Sequence, residues 1–265
     1  MIELQSFLAR LYTDDVFRML NRIDPAAAQS FFELDEASKA TLRGLDLDDI
    51  DSVSRGLTKR SFERVQSLFP VTCAAMGDAR FASAFARFRS LHKHYPGETK
   101  AALVTTFGLY IEDFLRFDAS APEWHAELAR YEHTLLVASI RGEQVAPPAR
   151  EKRPGFEDFP DSCRLAEGVE IHRYEYDVVS LLALIKEGGP IPSLPRRVIH
   201  VVTSPRPGSV QPRVLKIPAQ AAELLCWLRM TSKVRTAALA SAPPMPAAEI
   251  GVAMRQFVNL GLVTA

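Results

Sequence analysis

Apolar positions in the first 140 residues recur every three or four places, the period of a helix buried on one face. Leu4, Phe7, Leu8, Leu11 and Tyr12 form the first stripe, and after Asp14 and Asp15 the segment Val16–Leu20 opens another turn. Asp24-Pro25 reads as a cap followed by the proline favoured in a first helical turn. Short helices are expected over Leu34–Leu45, capped by Asp35, and over Leu47–Leu57. Phe62, Val65, Leu68 and Phe69 share the next face, and Pro70 breaks or kinks it. A short helix resumes over Val71–Met76 and ends at Gly77. Asp78 stands at an N-cap position, and Phe81, Ala84, Phe85, Phe88, Leu91 and Tyr95 follow at helical spacing up to Pro96-Gly97. Leu103–Phe117 buries Phe107, Tyr110, Ile111, Phe114 and Leu115, with Gly108 permitting close packing. Pro122–Ile140 is amphipathic through Trp124, Leu128, Tyr131, Leu135 and Ala138.

The pattern then changes. Residues 141–164 carry four prolines and dense charge without period, which reads as a linker, with Phe156 and Phe159 to tack it down. Val169, Ile171, Tyr174 and Tyr176 mark a strand, and Val178–Lys186 a helix closed by Gly188-Gly189-Pro190. Arg197–Thr203 is β-branched and strand-like, Ser204–Pro212 is a turn, and Arg213–Ile217 pairs back as a hairpin. Helices are expected over Ala219–Met230, Ser232–Ser241 and Pro246–Leu260, then a final short strand. The fold class is therefore α+β, mostly α. It divides into a small acidic helical segment (1–60), a helical bundle (61–140), the linker (141–164) and a basic winged-helix-like module (165–265).

Net charge is zero, yet it is unevenly spread: residues 191–265 hold nine Lys/Arg against Glu223 and Glu249, a net of +7, so the rest carries −7. A basic module suits an acidic partner, either nucleic acid or an acidic peptide; attraction between the two halves is the plainer alternative. No run approaches the roughly 20 apolar residues that span a bilayer, and MIELQSFLARLY is not a secretory signal. Cys73, Cys163 and Cys226 are odd in number, far apart and without a CxxC, which points away from a disulfide framework or zinc site and toward the cytoplasm.

Candidate chemistry is sparse. Asp46, Asp48, Asp49 and Asp51 lack the glycine and terminal glutamate of a calcium loop and read as a solvated helix start. His92 and His94 diverge on a helix, His125 and His133 are two turns apart, and His172 and His200 fall in strands. There is no HExxH, GxSxG, GxGxxG or P-loop, so the chain is expected to be non-catalytic, without metal or cofactor. Two binding modes remain. A DNA-reading third helix would offer only Arg255, Gln256 and Asn259. A hairpin with an open edge can instead accept a peptide as an added strand, with a basic rim favouring an acidic one. Alternatively, Arg213–Ile217 is an ordinary strand covered by its own chain.

Three runs carry a family resemblance: FERVQSLFPVTCAAMGDARFASAFARFRSLHKHYP, FGLYIEDFL and APEWHAELARYEHTLLVA. In that order, over about Phe62–Ile140, they resemble a helical domain once labelled DNA-binding. The C-terminal part is similar to the peptide-recognition element of ribosomal-peptide pathways. Together they resemble the partner proteins of multinuclear non-heme iron-dependent oxidases, the accessory subunit of methanobactin biosynthesis being the best-known kind. The resemblance implies a cytoplasmic, non-catalytic heterodimer subunit that binds the leader of a precursor peptide and presents it to the oxidase. Iron would reside in the partner, which modifies the peptide's cysteines. By analogy Arg213, Val214, Leu215, Lys216 and Ile217, with Arg255 and Phe257, would hold the leader. Residues 1–60 lie outside the match. DNA-binding regulation is the second expectation, and a stand-alone interaction protein the third; no membrane association is expected.

Overall fold

The computed structural model describes residues 2–92, 99–144, 162–189, 191, 194–231, 234–235 and 247–264. The chain divides into two compact units, Met1–Phe114 and Leu115–Ala265, and its architecture is α+β with helices predominating.

In the first unit, helices α1 (Ile2–Thr13), α2 (Asp15–Ile23), α3 (Pro25–Gln29), α4 (Glu36–Arg43) and α5 (Leu47–Leu68) begin the order. Aspartates start four of them. Asp14, Asp24, Asp35 and Asp46 accept hydrogen bonds from the otherwise unpaired N–H groups of Phe17, Ala27, Ser38 and Asp48. Asp48 and Asp51 pair with Arg22 at 2.9 and 2.7 Å, so this acidic run caps and braces a helix. Phe7, Phe17 and Phe32 meet edge to face at 5.1–5.8 Å above Leu11, Leu34, Leu42 and Ile50.

α5 corrects two expectations: a single 22-residue helix replaces the separate segments Leu47–Leu57 and Phe62–Phe69. It crosses residue 60, because nothing between 57 and 62 breaks the backbone ladder. Pro70 supplies the first turn of α6 (Pro70–Met76), and Gly77, at φ +81°, leads into α7 (Asp78–Leu91). Asp78 is the first residue of α7 and not its cap, and it accepts from the Gln66 amide. Helix α8 (Lys100–Phe117) starts in this unit and brings in Phe107, whose ring lies 5.1–6.4 Å from those of Phe69, Phe81, Phe85 and Phe88.

The second unit contains α9 (Glu123–Gln144), β1 (Ser162–Leu165), β2 (Glu170–Tyr174), α10 (Val178–Lys186), β3 (Ile199–Ser204) and β4 (Arg213–Ile217). After them come α11 (Ala219–Thr231), β5 (Val234–Arg235), α12 (Ala247–Asn259) and β6 (Val263–Thr264). Among the described residues these form two antiparallel three-stranded sheets, in the orders β5-β1-β6 and β2-β3-β4. Ser162–Arg164 of β1 lie within the stretch expected to be a linker, and residues 145–161 fall outside the described residues. The helix expected over Ser232–Ser241 is corrected in part. Val234 and Arg235 pair with Cys163 and Ser162, consistent with a β-branched residue that helices disfavour; residues 236–246 are outside the described set.

Val202 turns toward Leu224, Leu225 and Leu228 of α11 and Met254 and Phe257 of α12. Strand alternation sends its buried neighbours Val201 and Thr203 to the opposite face, where α9 packs on β3. On that side Tyr131 of α9 meets Tyr174 of β2 at 5.7 Å, and the Arg130 guanidinium lies 4.5 Å from the Tyr174 ring centroid. The carboxylate of Glu127 accepts the backbone N–H groups of Glu175 and Tyr176 at 2.9 and 3.0 Å, fastening α9 to the end of β2.

His133 of α9 and His172 of β2 are largely buried, each with an Nε2 atom that has no hydrogen-bond partner among the described residues. Burial, with a further contribution from His172, pushes the His133 imidazole down to about 4. His172 is also lowered, by burial first and by Arg130 and Arg229, against the opposing carboxylate of Glu170. Both imidazoles bind a proton less readily when folded than when unfolded, where histidine titrates near 6.5. The unfolded state thus binds more protons as pH falls below 6.5, and folding stability drops, the His133 contribution levelling off near pH 4. That contribution is roughly 3 kcal/mol at most. Urea unfolding is expected to show a loss of stability beginning between pH 6.5 and 5, above the carboxylate range. Replacing His133 with Gln should flatten it, and equal slopes in the two proteins would refute the assignment.

Candidate functional site

β4 is bracketed by Pro212 and Pro218, neither of which can donate a backbone hydrogen bond. Between them five residues pair with β3 in the register Ser204↔Arg213 to His200↔Ile217. Among the described residues β4 has a strand on one side only, leaving an edge of roughly 17 Å by strand geometry. An exposed lysine often protects such an edge from pairing. Here the ammonium of Lys216 is turned to the N-terminus of α10, 2.7 Å from Asp177 and 3.0 Å from the Ser180 hydroxyl. Burial acts to raise the Asp177 carboxyl, but Lys216 and the Ser180 N–H and hydroxyl outweigh it and hold it below the usual carboxylate range.

The residues singled out from sequence divide between edge, core and surface. Leu215 and Ile217 pack onto the core formed with α11 and α12, and Val214 is half-buried. Arg213 is half-buried beside the turn after α12, where a Cβ placed on Gly261 would lie 3.5 Å from its guanidinium. Arg255 is exposed on α12 with Gln256 and Asn259. Phe257 is a core residue, 4% exposed, and is not available to a ligand. Arg255 and Phe257 stand two positions apart and therefore point in different directions from one helix. The apolar series Ile250, Ala253, Met254 and Phe257 already places Phe257 on the buried stripe.

Sequence reasoning missed the parts that hold the hairpin. The amide N–H of Gly208, in the β3–β4 loop, donates to the Gly142 carbonyl of α9 at 3.0 Å. A Cβ on Gly142 would lie 2.6 Å from the Ser209 carbonyl oxygen and 2.8 Å from that of Arg206, too close to accommodate without moving backbone. A second close approach occurs at Gly168, φ +75°, against the ring of Pro205. Neither shows in sequence as more than a glycine. Among the described residues no cluster of three or more His, Cys, Asp or Glu is arranged to hold a metal ion.

The Gly142 contact decides a sign. In an open helix, Gly→Ala stabilises by about 1 kcal/mol. At Gly142 the clash with the loop backbone is expected to reverse this, with Gly142→Ala destabilising by about 1–3 kcal/mol as an overpacked site does. Denaturant unfolding measures it, and a neutral or stabilising result would mean that the loop is not held where it lies.

No protein-family model matches this chain, and no curated protein is significantly similar to it.

Proposed function

We propose that this chain is a non-catalytic subunit that binds the leader of a ribosomally made precursor peptide and presents it to an iron-dependent oxidase. The observation that carries the reading is the single-sided pairing of β4. A peptide laid along Arg213–Ile217 as a further strand would gain main-chain hydrogen bonds whatever its sequence. Side chains at alternate positions would then set specificity. The finer fold assignment supports the same reading. The sheet order β5-β1-β6 with α11 and α12 suits a winged-helix-like module in which β1 occupies the central strand position. We place the subunit in the cytoplasm, where its three cysteines would stay reduced, and assign the iron and the oxidation of peptide cysteines to the partner enzyme. No described helix is long and apolar enough to cross a membrane.

One observation favours DNA binding as a second reading. Arg255, Gln256 and Asn259 share the exposed face of α12, and side chains of these types can reach base edges in a major groove. Only three polar groups support it, with Glu249 and Val252 on the same exposed side.

The tagged chain, purified from its native host at moderate salt, is expected to carry an iron-containing enzyme and a short cysteine-bearing peptide. In that complex hydrogen exchange at alternate backbone amides of Arg213–Ile217 should slow by tenfold or more relative to the free chain. Arg213→Glu is expected to weaken an acidic leader at least fivefold, whereas Lys216→Glu would set a carboxylate against Asp177 and test stability instead. Unchanged exchange along β4 would remove this edge as the site. DNA in place of enzyme and peptide, released steeply by salt, would establish the second reading.

A further inference from the structure

The first unit contains a cleft of about 1080 Å³ between α1, α5 and α7, closed at one end by the start of α2. Its apolar wall is built from Phe62 of α5 and Ala82, Phe85 and Ala86 of α7, the rings of Phe62 and Phe85 lying 5.4 Å apart. Small residues at 82 and 86, four apart, leave room on α7 where longer side chains would fill the cleft. Arg89, one further turn along, links the three helices. Its guanidinium donates to the Thr58 hydroxyl of α5 and, at 3.2 Å, to the Thr13 carbonyl that ends α1.

The charge in this cleft is asymmetric. Five cations and two carboxylates line it, and both carboxylates are engaged, Asp14 by Arg10 and Asp15 by Arg18. Arg89 and Arg55 form no ion pair among the described residues, and Lys59 reaches Glu63 only at 3.8 Å. Arg55, Lys59 and Phe62 recur at i, i+4 and i+7, so one face of α5 presents two cations beside an aromatic ring. The mouth is apolar as well: Ile2 and Val16 line the cleft and are 78% and 80% exposed. Exposed apolar surface rimmed by charge marks a protein-binding site.

The dimensions fit one kind of occupant. A helix about 10 Å across fills roughly 420 Å³ per 5.4 Å turn, so the cleft accommodates about two and a half turns. Its wall on α5, from Ser54 to Phe62, is about 12 Å long, slightly over two turns. We propose that the cleft between α1, α5 and α7 is a docking groove for an acidic amphipathic helix of a partner protein, which completes a four-helix bundle. The apolar face of that helix packs on Phe62 and the two alanines, with the buried Phe85 ring as the floor beneath them, and its acidic flanks meet Arg55, Lys59 and Arg89. This assignment is independent of peptide binding at β4, because it concerns the other compact unit and different residues.

The test uses the full chain and two helix-stabilised, fluorescein-labelled 12-residue peptides. Each has Leu at positions 1, 4, 5 and 8, one with Glu and the other with Lys at its remaining charged positions. Fluorescence anisotropy at 50 mM salt is expected to show the Glu peptide binding at least tenfold tighter than the Lys peptide. Ala86→Trp, at an exposed position that fills the groove, should abolish binding, and Arg55→Glu with Lys59→Glu should reverse the preference. Circular dichroism of each variant checks that the helices are intact. Equal affinity for the two peptides, no binding of either, or binding unaffected by Ala86→Trp would overturn the proposal. A dimer in sedimentation that Ala86→Trp dissociates would also overturn it, making a second copy of the chain the occupant.

Discussion

The second unit depends on one constraint, the way α9 is held against the sheet of β2, β3 and β4. Glu127 takes the N–H groups at the end of β2, and Gly142, four turns further on, admits the β3–β4 loop to backbone contact. The two points lie on one continuous helix, so the ends of the sheet are gauged against a rigid rod of 22 residues. Between them Tyr131, Arg130 and the imidazoles of His133 and His172 fill the interface. A carboxylate with two backbone donors resists exchange for solvent because the donors would lose a charge-assisted partner. Among the described residues β4 pairs with β3 alone, and its hairpin is positioned by α9 and by that pairing.

Much of the helical architecture was readable because its signals are local. Apolar spacing marked the buried faces, Asp24-Pro25 and Asp35 marked two starts, and Gly77 marked a reversal that needs positive φ. The misreadings have the same origin. α5 was divided because its apolar stripe thins around Gly56, but a helix held at both ends by Ile50 and Val65 tolerates an exposed glycine between them. β1 and β5 were missed because strands of four and two residues have too few positions to display alternation. Their pairing partners lie about 70 and 100 residues apart in sequence.

For the candidate site, the strand itself was readable but its surroundings were not. RVLKI between two prolines announces a short strand, and β3 pairs with it as expected. The engagement of Lys216 by Asp177, 39 residues away, follows from where the start of α10 lies beside β4 and has no sequence signature. Phe257 is the opposite case, since its place in the apolar series of α12 was visible and analogy overrode it. The groove in the first unit was invisible to sequence because it is an absence, created where small residues on α7 face an aromatic on α5.

Charge changes its meaning once the units are defined. The segment 191–265 carries +7, but Leu115–Ala265 as a whole holds 18 basic against 16 acidic residues. Lys216 meets Asp177, Arg196 meets Glu123, and Arg229 comes within 3.8 Å of Glu170. The attraction inferred from composition therefore operates largely inside this unit, tying the basic strands and helices to acidic positions on α9, β2 and the start of α10. A ligand approaching β4 meets a surface whose cations are partly neutralised, and long-range steering is weak. On the proposed reading, affinity for a peptide would come mainly from main-chain hydrogen bonds and apolar contact. Such binding depends only shallowly on salt, whereas phosphate binding requires several uncommitted cations. On the proposed reading, the internal ion pairs of this unit would favour an added strand over a nucleic-acid backbone at the β4 edge.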